Sequence, residues 1–174
     1  YPARVASVES DIEDCIDDGI IFVGSAGNYQ YQIDKVGGLD FSNLFFYTGW
    51  DAAAGNLGVP NQIQYYHRGP TPSVQDGVIC VGSIDRTYTS NRENMAAVSN
   101  RGPRVDLLAP GSGIMGPISQ TSSSANSANQ ENYTLDNSFK VNKLTGTSQA
   151  APQVTGMIAC ILQTRHSTKA TMTK

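Results

Sequence analysis

Three short apolar runs constrain the fold of this chain more than any other feature. They are Ile20-Ile21-Phe22-Val23, Val78-Ile79-Cys80-Val81 and Val105-Asp106-Leu107-Leu108. Each is bounded by Gly or Pro and is too short for a core helix. Continuous rather than alternating apolarity is the pattern of strands covered on both faces, as in a parallel sheet. Ahead of the first run, Val8, Ile12, Cys15 and Ile16 recur at helical spacing with acidic residues opposite, which predicts a helix over Val8 to Asp18 stopped by Gly19. Beyond the last run, Ala150, Ala151, Val154, Met157, Ile158, Ile161 and Leu162 form the apolar face of a helix from about Thr147 to Gln163. Pro152 is compatible with that helix only because it falls in the first turn. Helix, buried strands and helix together predict an α/β layered fold with a mostly parallel central sheet.

The 174 residues suit one domain, and 39% hydrophobic against 16% charged residues suits a packed core. The net charge is −3 with no Lys/Arg cluster, so nothing supplies the basic footprint of a nucleic-acid-binding protein. No apolar stretch is long enough to span a membrane as a helix. Three cysteines, Cys15, Cys80 and Cys160, show no disulfide spacing. Cys80 and Cys160 sit in apolar runs and read as buried free thiols, which favours folding in a reducing compartment. The Asn132-Tyr133-Thr134 sequon matters only in a secretory setting. Two long segments separate the regular runs. Residues 29–76 form an aromatic-rich insertion, read as a small satellite core, and residues 112–143 form a polar loop or hairpin. No group of side chains suggests a metal site.

The chemistry concentrates in Leu144-Thr-Gly-Thr-Ser-Gln-Ala-Ala-Pro-Gln-Val-Thr-Gly156. Gly146 permits a tight turn, and Ser148 then opens an apolar helix. Unpaired N–H groups and the helix dipole at that end favour a developing oxyanion. A serine hydroxyl is a weak nucleophile and needs a base placed beside it in space. A serine before a helix is by itself commonly a cap.

The wider pattern, Gly-Thr-Ser-x-Ala-x-Pro-x-Val-x-Gly, resembles the nucleophile motif of the subtilase family. Two more blocks resemble the family in its chain order: Asp18 to Asn28, ending Ala-Gly-Asn, and Gly77 to Asp85 followed by Ser99 to Gly111 with its Ala-Pro-Gly turn. The resemblance implies a subtilisin-like layered fold, present here in part, with Ser148 as nucleophile and Asn28 as an oxyanion-hole donor. It implies that Ser25, Ala26 and Gly27 bind substrate, that the substrate is a polypeptide, and that calcium is a possible ligand without naming its residues. Gln149 and Gln153 stand where the family often has Met and His.

The family's catalytic Asp and His lie upstream of the first matching block, and neither motif occurs here. The two histidines are His67, in the aromatic insertion, and His166, roughly 27 Å along a continuous helix from Ser148 at 1.5 Å per residue. Neither is marked as a base. Two readings stay open. The chain is the nucleophile half of an active peptidase, partnered by its own N-terminal half. Otherwise it is an inactive subtilase-like module held by neighbouring subunits of a larger assembly, such as a virus particle or cell surface.

Overall fold

The computed structural model describes residues 6–41, 44–46, 63–65, 69–89, 92–118 and 130–164. The chain opens with α1 (Ala6–Asp17), which is followed directly by β1 (Val23–Ser25). Gly19, at φ 84°, ends α1 as anticipated. The Ile20 N–H donates to Cys15 O at 3.0 Å and the Gly19 N–H to Ile16 O at 2.9 Å, the paired bonds of a Schellman motif. Ile20 is therefore consumed in closing the helix. Ile20 and Ile21 are exposed, and the strand predicted from Ile20 begins only at Val23.

Next in the chain come β2 (Leu44–Phe46) and β3 (Ile63–Tyr65), an antiparallel pair within the aromatic segment. The other aromatic residues of that segment, and His67, lie outside the described residues, except Tyr29, Tyr31 and Phe41. The main sheet is built on β4 (Ile79–Thr89). β4 pairs in parallel with β1 and with β6 (Leu107–Pro110), and antiparallel with β5 (Arg92–Met95) at its far end. The last strand begins two residues later than the apolar run suggested, because Val105 N–H first closes a turn onto Gly102 O.

Burial on both faces holds for β4. Cys80 packs with Ala26 and Ile33 on one side, and Val81 with Ala109 on the other. It fails for β6, where Leu107 and Leu108 are exposed. β7 (Ile114–Ile118), β8 (Gln130–Asn132) and β9 (Lys140–Leu144) form a separate antiparallel sheet in the order β7-β9-β8. This sheet occupies most of the described part of the 112–143 stretch. Its strands are short, β8 is polar, and the apolar residues of β7 are interrupted by Gly116 and Pro117, so the apolar alternation that marks a strand in sequence is missing.

The chain's second helix, α2 (Thr147–Thr164), lies on β1, β4 and β6. Ala150, Ala151 and Val154 are buried against Val81 and Ala109, with Ile158 packed beside them. Small residues in the first two turns let the helix backbone sit close to the strands. Farther along, Met157 and Ile161 are exposed, so the buried stripe is shorter than the periodic one. Cys160 is exposed as well, contrary to its reading as a buried thiol, whereas Cys80 is buried as read.

Candidate active site at the start of helix α2

The end of β1 and the start of α2 meet although they lie some 120 residues apart. The Asn28 side-chain Oδ1 accepts from the Thr147 N–H at 2.9 Å and from the Thr147 hydroxyl at 3.1 Å. The Gly27 N–H donates to Thr147 Oγ1 at 3.1 Å. Asn28 thus caps α2 from outside, satisfying one of the N–H groups that a helix start leaves open. Thr147 is fully buried between them.

With Oδ1 committed to the helix, the amide NH₂ is the end of Asn28 left to donate. It makes no hydrogen bond among the described residues and lies over Gly146, where an added Cβ would stand 3.0 Å from Nδ2. Only glycine leaves that space open. Ser148 is exposed, and its hydroxyl has no hydrogen-bond partner among the described residues. Its N–H, in the first turn, has no intrahelical acceptor. The structure therefore brings Ser148, its N–H and the Asn28 amide to one helix end.

The turn that carries Asn28 is fixed from below by Asn100, which the sequence reading did not single out. Asn100 is fully buried. Its Nδ2 donates to Ala26 O at 2.7 Å, and its Oδ1 accepts from Tyr29 N at 3.1 Å and Tyr31 N at 2.9 Å. Gly27 passes directly over it, at φ 97°, and a Cβ there would stand 2.6 Å from Asn100 Nδ2. The pairing of a positive-φ glycine with an asparagine some seventy residues later is the signal that could have found it, but only once the two were known to touch.

Ser25, Ala26 and Gly27 have their main-chain groups largely engaged inside the protein. Ser25 O accepts from the Ser73 hydroxyl at 2.8 Å, Ala26 N donates to Val81 O at 2.9 Å, and Gly27 O accepts from Asn100 N at 2.9 Å. Gln153 uses its amide to tie α2 to the end of β6, donating to Pro110 O and, at 3.0 Å, to Gln149 O. Beside the turn, Tyr29 and Tyr31 stack with ring centroids 5.7 Å apart. Burial, and then the neighbouring Tyr29, push the Tyr31 phenol above its ordinary value of 10.0.

This arrangement accompanies a match between the Subtilase family model and residues 3–174. The chain belongs to the subtilase family. It is 32% identical over 111 residues to fervidolysin of Fervidobacterium pennivorans, covering 64% of this chain and 15% of that protein. Among solved structures, sphericase superposes with a TM-score of 0.60 at 15% identity, over 99% of this chain and 42% of sphericase. The fervidolysin structure, described as a keratinolytic enzyme related to subtilisin, gives 0.59 at 23% identity over 94% of this chain and 19% of its own. The fold is subtilisin-like, and the chain spans less than half the length of each of these relatives. It is a domain of serine-peptidase type.

Calcium is a possible ligand by family resemblance, and the residues described offer no carboxylate-rich cluster for it: no group of three or more His, Cys, Asp or Glu comes together among them. A buried cradle of two carbonyls and a carboxylate does exist, but the Arg104 guanidinium fills it.

Proposed function

We propose that this subtilase chain supplies the nucleophile and the oxyanion hole of a subtilisin-like serine endopeptidase. The observation that supports this reading is the hold of Asn28 Oδ1 on Thr147, 2.9 Å from its N–H, which turns the amide NH₂ toward the helix end that carries Ser148. Ser148 Oγ attacks the carbonyl carbon of the scissile peptide bond as its proton passes to a general base. The carbonyl oxygen takes the negative charge and is held by the Ser148 N–H and Asn28 Nδ2, two donors oriented before the reaction begins. Collapse expels the amine, protonated by the same base, and leaves an acyl-enzyme on Ser148 that water then hydrolyses. The base and the carboxylate that orients it come from polypeptide outside these 174 residues. Ser25, Ala26 and Gly27 shape the wall of the cleft through their surface, since their main-chain groups are largely engaged within the protein.

A fluorophosphonate probe tests this on the full-length protein. Labelling at Ser148, lost in Ser148→Ala, is the expected result. A folded full-length protein that takes up no label would instead favour the inactive, assembly-held module.

A further inference from the structure

A pocket of about 370 Å³ opens beside the turn that leads to Ser148. Asp85 and Arg86 of β4 line it, with Val98 after β5, Gly113 before β7, and Lys143 and Thr145 at the end of β9. Thr145 precedes Ser148 by three positions, a span of at most roughly 10 Å even in a fully extended chain. Two bonds tie the pocket wall to that turn. The Gly113 N–H donates to Thr145 Oγ1 at 3.0 Å, and the Gly146 N–H donates to Gly111 O at 2.8 Å.

The chain carries a net charge of −3, yet this lining holds two cations against one carboxylate. Arg86 lies along Gly113, where an added Cβ would stand 3.5 Å from both its Cδ and its Nη1. Its guanidinium makes no hydrogen bond or ion pair among the described residues. Asp85 does not neutralise it, because Asp85 Oδ1 is turned to the Arg86 main-chain N–H at 2.6 Å. Lys143 Nζ meets Glu131 Oε1 at 3.4 Å, with the two side chains 46% and 58% exposed. An exposed pair of this kind contributes little and exchanges readily for another acceptor. The Ser112 hydroxyl, also in the lining, has no partner among the described residues, and the Thr145 hydroxyl keeps its proton free to donate.

We propose that this pocket takes the carboxylate of an Asp or Glu side chain in the polypeptide bound at Ser148. The chain then selects substrates with an acidic residue within about three positions of the scissile bond, the reach set by the Thr145-to-Ser148 span. The selection rests on the peptidase reading given above. A guanidinium fork meets both oxygens of a carboxylate, and Lys143 and the two hydroxyls add donors around it. Like charges gathered in a concave place raise the local concentration of an acidic segment that the rest of the surface repels.

The test uses the full-length protein and quenched fluorescent peptides of one parent sequence. Glutamate replaces glutamine in turn at each of the three positions on either side of the cleaved bond. At one of these positions kcat/KM is expected to be about threefold to tenfold higher for glutamate, with the ratio shrinking as salt is added. Arg86→Ala is expected to remove most of that ratio, Arg86→Lys to keep part of it and Arg86→Glu to invert it. Lys143→Ala is expected to reduce it. The same peptides, labelled for fluorescence anisotropy, are also bound to the Ser148→Ala protein. Glutamate-selective binding that depends on Arg86, without cleavage of any peptide, would refute the peptidase reading and uphold the pocket as a carboxylate site. A glutamate-to-glutamine ratio near one at every position in both assays, or a preference unchanged in Arg86→Glu, overturns the proposal.

Discussion

Asn28 Oδ1 lies 2.9 Å from the Thr147 nitrogen, so the proposed oxyanion donor is also the cap of the helix that carries the proposed nucleophile, Ser148. One side chain does two separable things, and two substitutions separate them. Asn28→Asp keeps the acceptor that caps Thr147 but replaces the amide donor with a carboxylate oxygen. It is expected to leave the melting midpoint nearly unchanged while lowering kcat by at least roughly 10²–10³, the cost known for removing such a donor in subtilisin itself. Asn28→Ala loses both functions and is expected to cost about 1 kcal/mol of stability as well. Equal destabilisation by the two variants, with equal retained turnover, would show that the side chain is a cap only.

Asn100 is the residue on which the geometry of that turn depends. Its removal in Asn100→Ala strands Ala26 O, Tyr29 N and Tyr31 N, which are held at 2.7, 3.1 and 2.9 Å. Each buried group left unpaired costs about 1–3 kcal/mol, reduced where water can reach it. A loss of at least about 2 kcal/mol in urea unfolding is expected. As a positioning residue, Asn100 is also expected to lower kcat with little change in KM. Normal kcat in the folded variant would count against its role in placing Asn28.

How far the sequence revealed this site depended on whether a feature was local. Gly146-Thr147-Ser148 could be singled out because the turn, the proposed nucleophile and the helix start are neighbours in the chain. Asn28 could be read because it ends an apolar strand. The bond between Asn28 and Thr147 spans 119 positions, and no periodicity encodes it. Asn100 and Arg104 were missed for the same reason. In Ser-Asn-Arg-Gly-Pro-Arg both side chains point inward, to partners just after β1 and on the segment before β4. The strand ends were misplaced where tertiary hydrogen bonds intervened, as when Ile20 N–H went to Cys15 O rather than to the sheet.

Tyr31, beside the turn, is expected to make stability pH-dependent in the alkaline range. Burial raises its phenol above the ordinary value of 10.0, with the Tyr29 ring beside it adding to the shift. A raised folded-state value means that the contribution to stability is complete below the unfolded value. It is lost as pH climbs through the folded one. Spectrophotometric titration is expected to show a tyrosine ionising above pH 10 that Tyr31→Phe removes. Stability should fall less steeply above pH 10 in that variant. A titration curve unchanged by the substitution would place the high-pH component elsewhere.

The 174-residue chain expressed alone is expected neither to melt cooperatively nor to hydrolyse peptides. The folding part follows from surface left uncovered around the main sheet. Ile20, Ile21, Leu107, Leu108, Met157 and Ile161 are all exposed large apolar side chains, lying just before β1, within β6 or on α2. Among the described residues, β1 and β6 each pair with β4 alone, so each has an unpaired outer edge. An open parallel edge beside exposed apolar residues is a template for another chain. A polypeptide carrying the base and the orienting carboxylate is the occupant that the proposed mechanism requires, and adding it in trans should sharpen the melt. The catalytic part follows from Ser148, whose hydroxyl has no base beside it among the described residues and so keeps its ordinary weak nucleophilicity. Calorimetry and a peptide-hydrolysis assay on the isolated chain check both parts. A sharp two-state melt of a monomer would show that the sheet needs no further strands. Hydrolysis lost in both Ser148→Ala and His67→Ala would show that the base lies within this chain, and the division of the triad proposed above would be wrong.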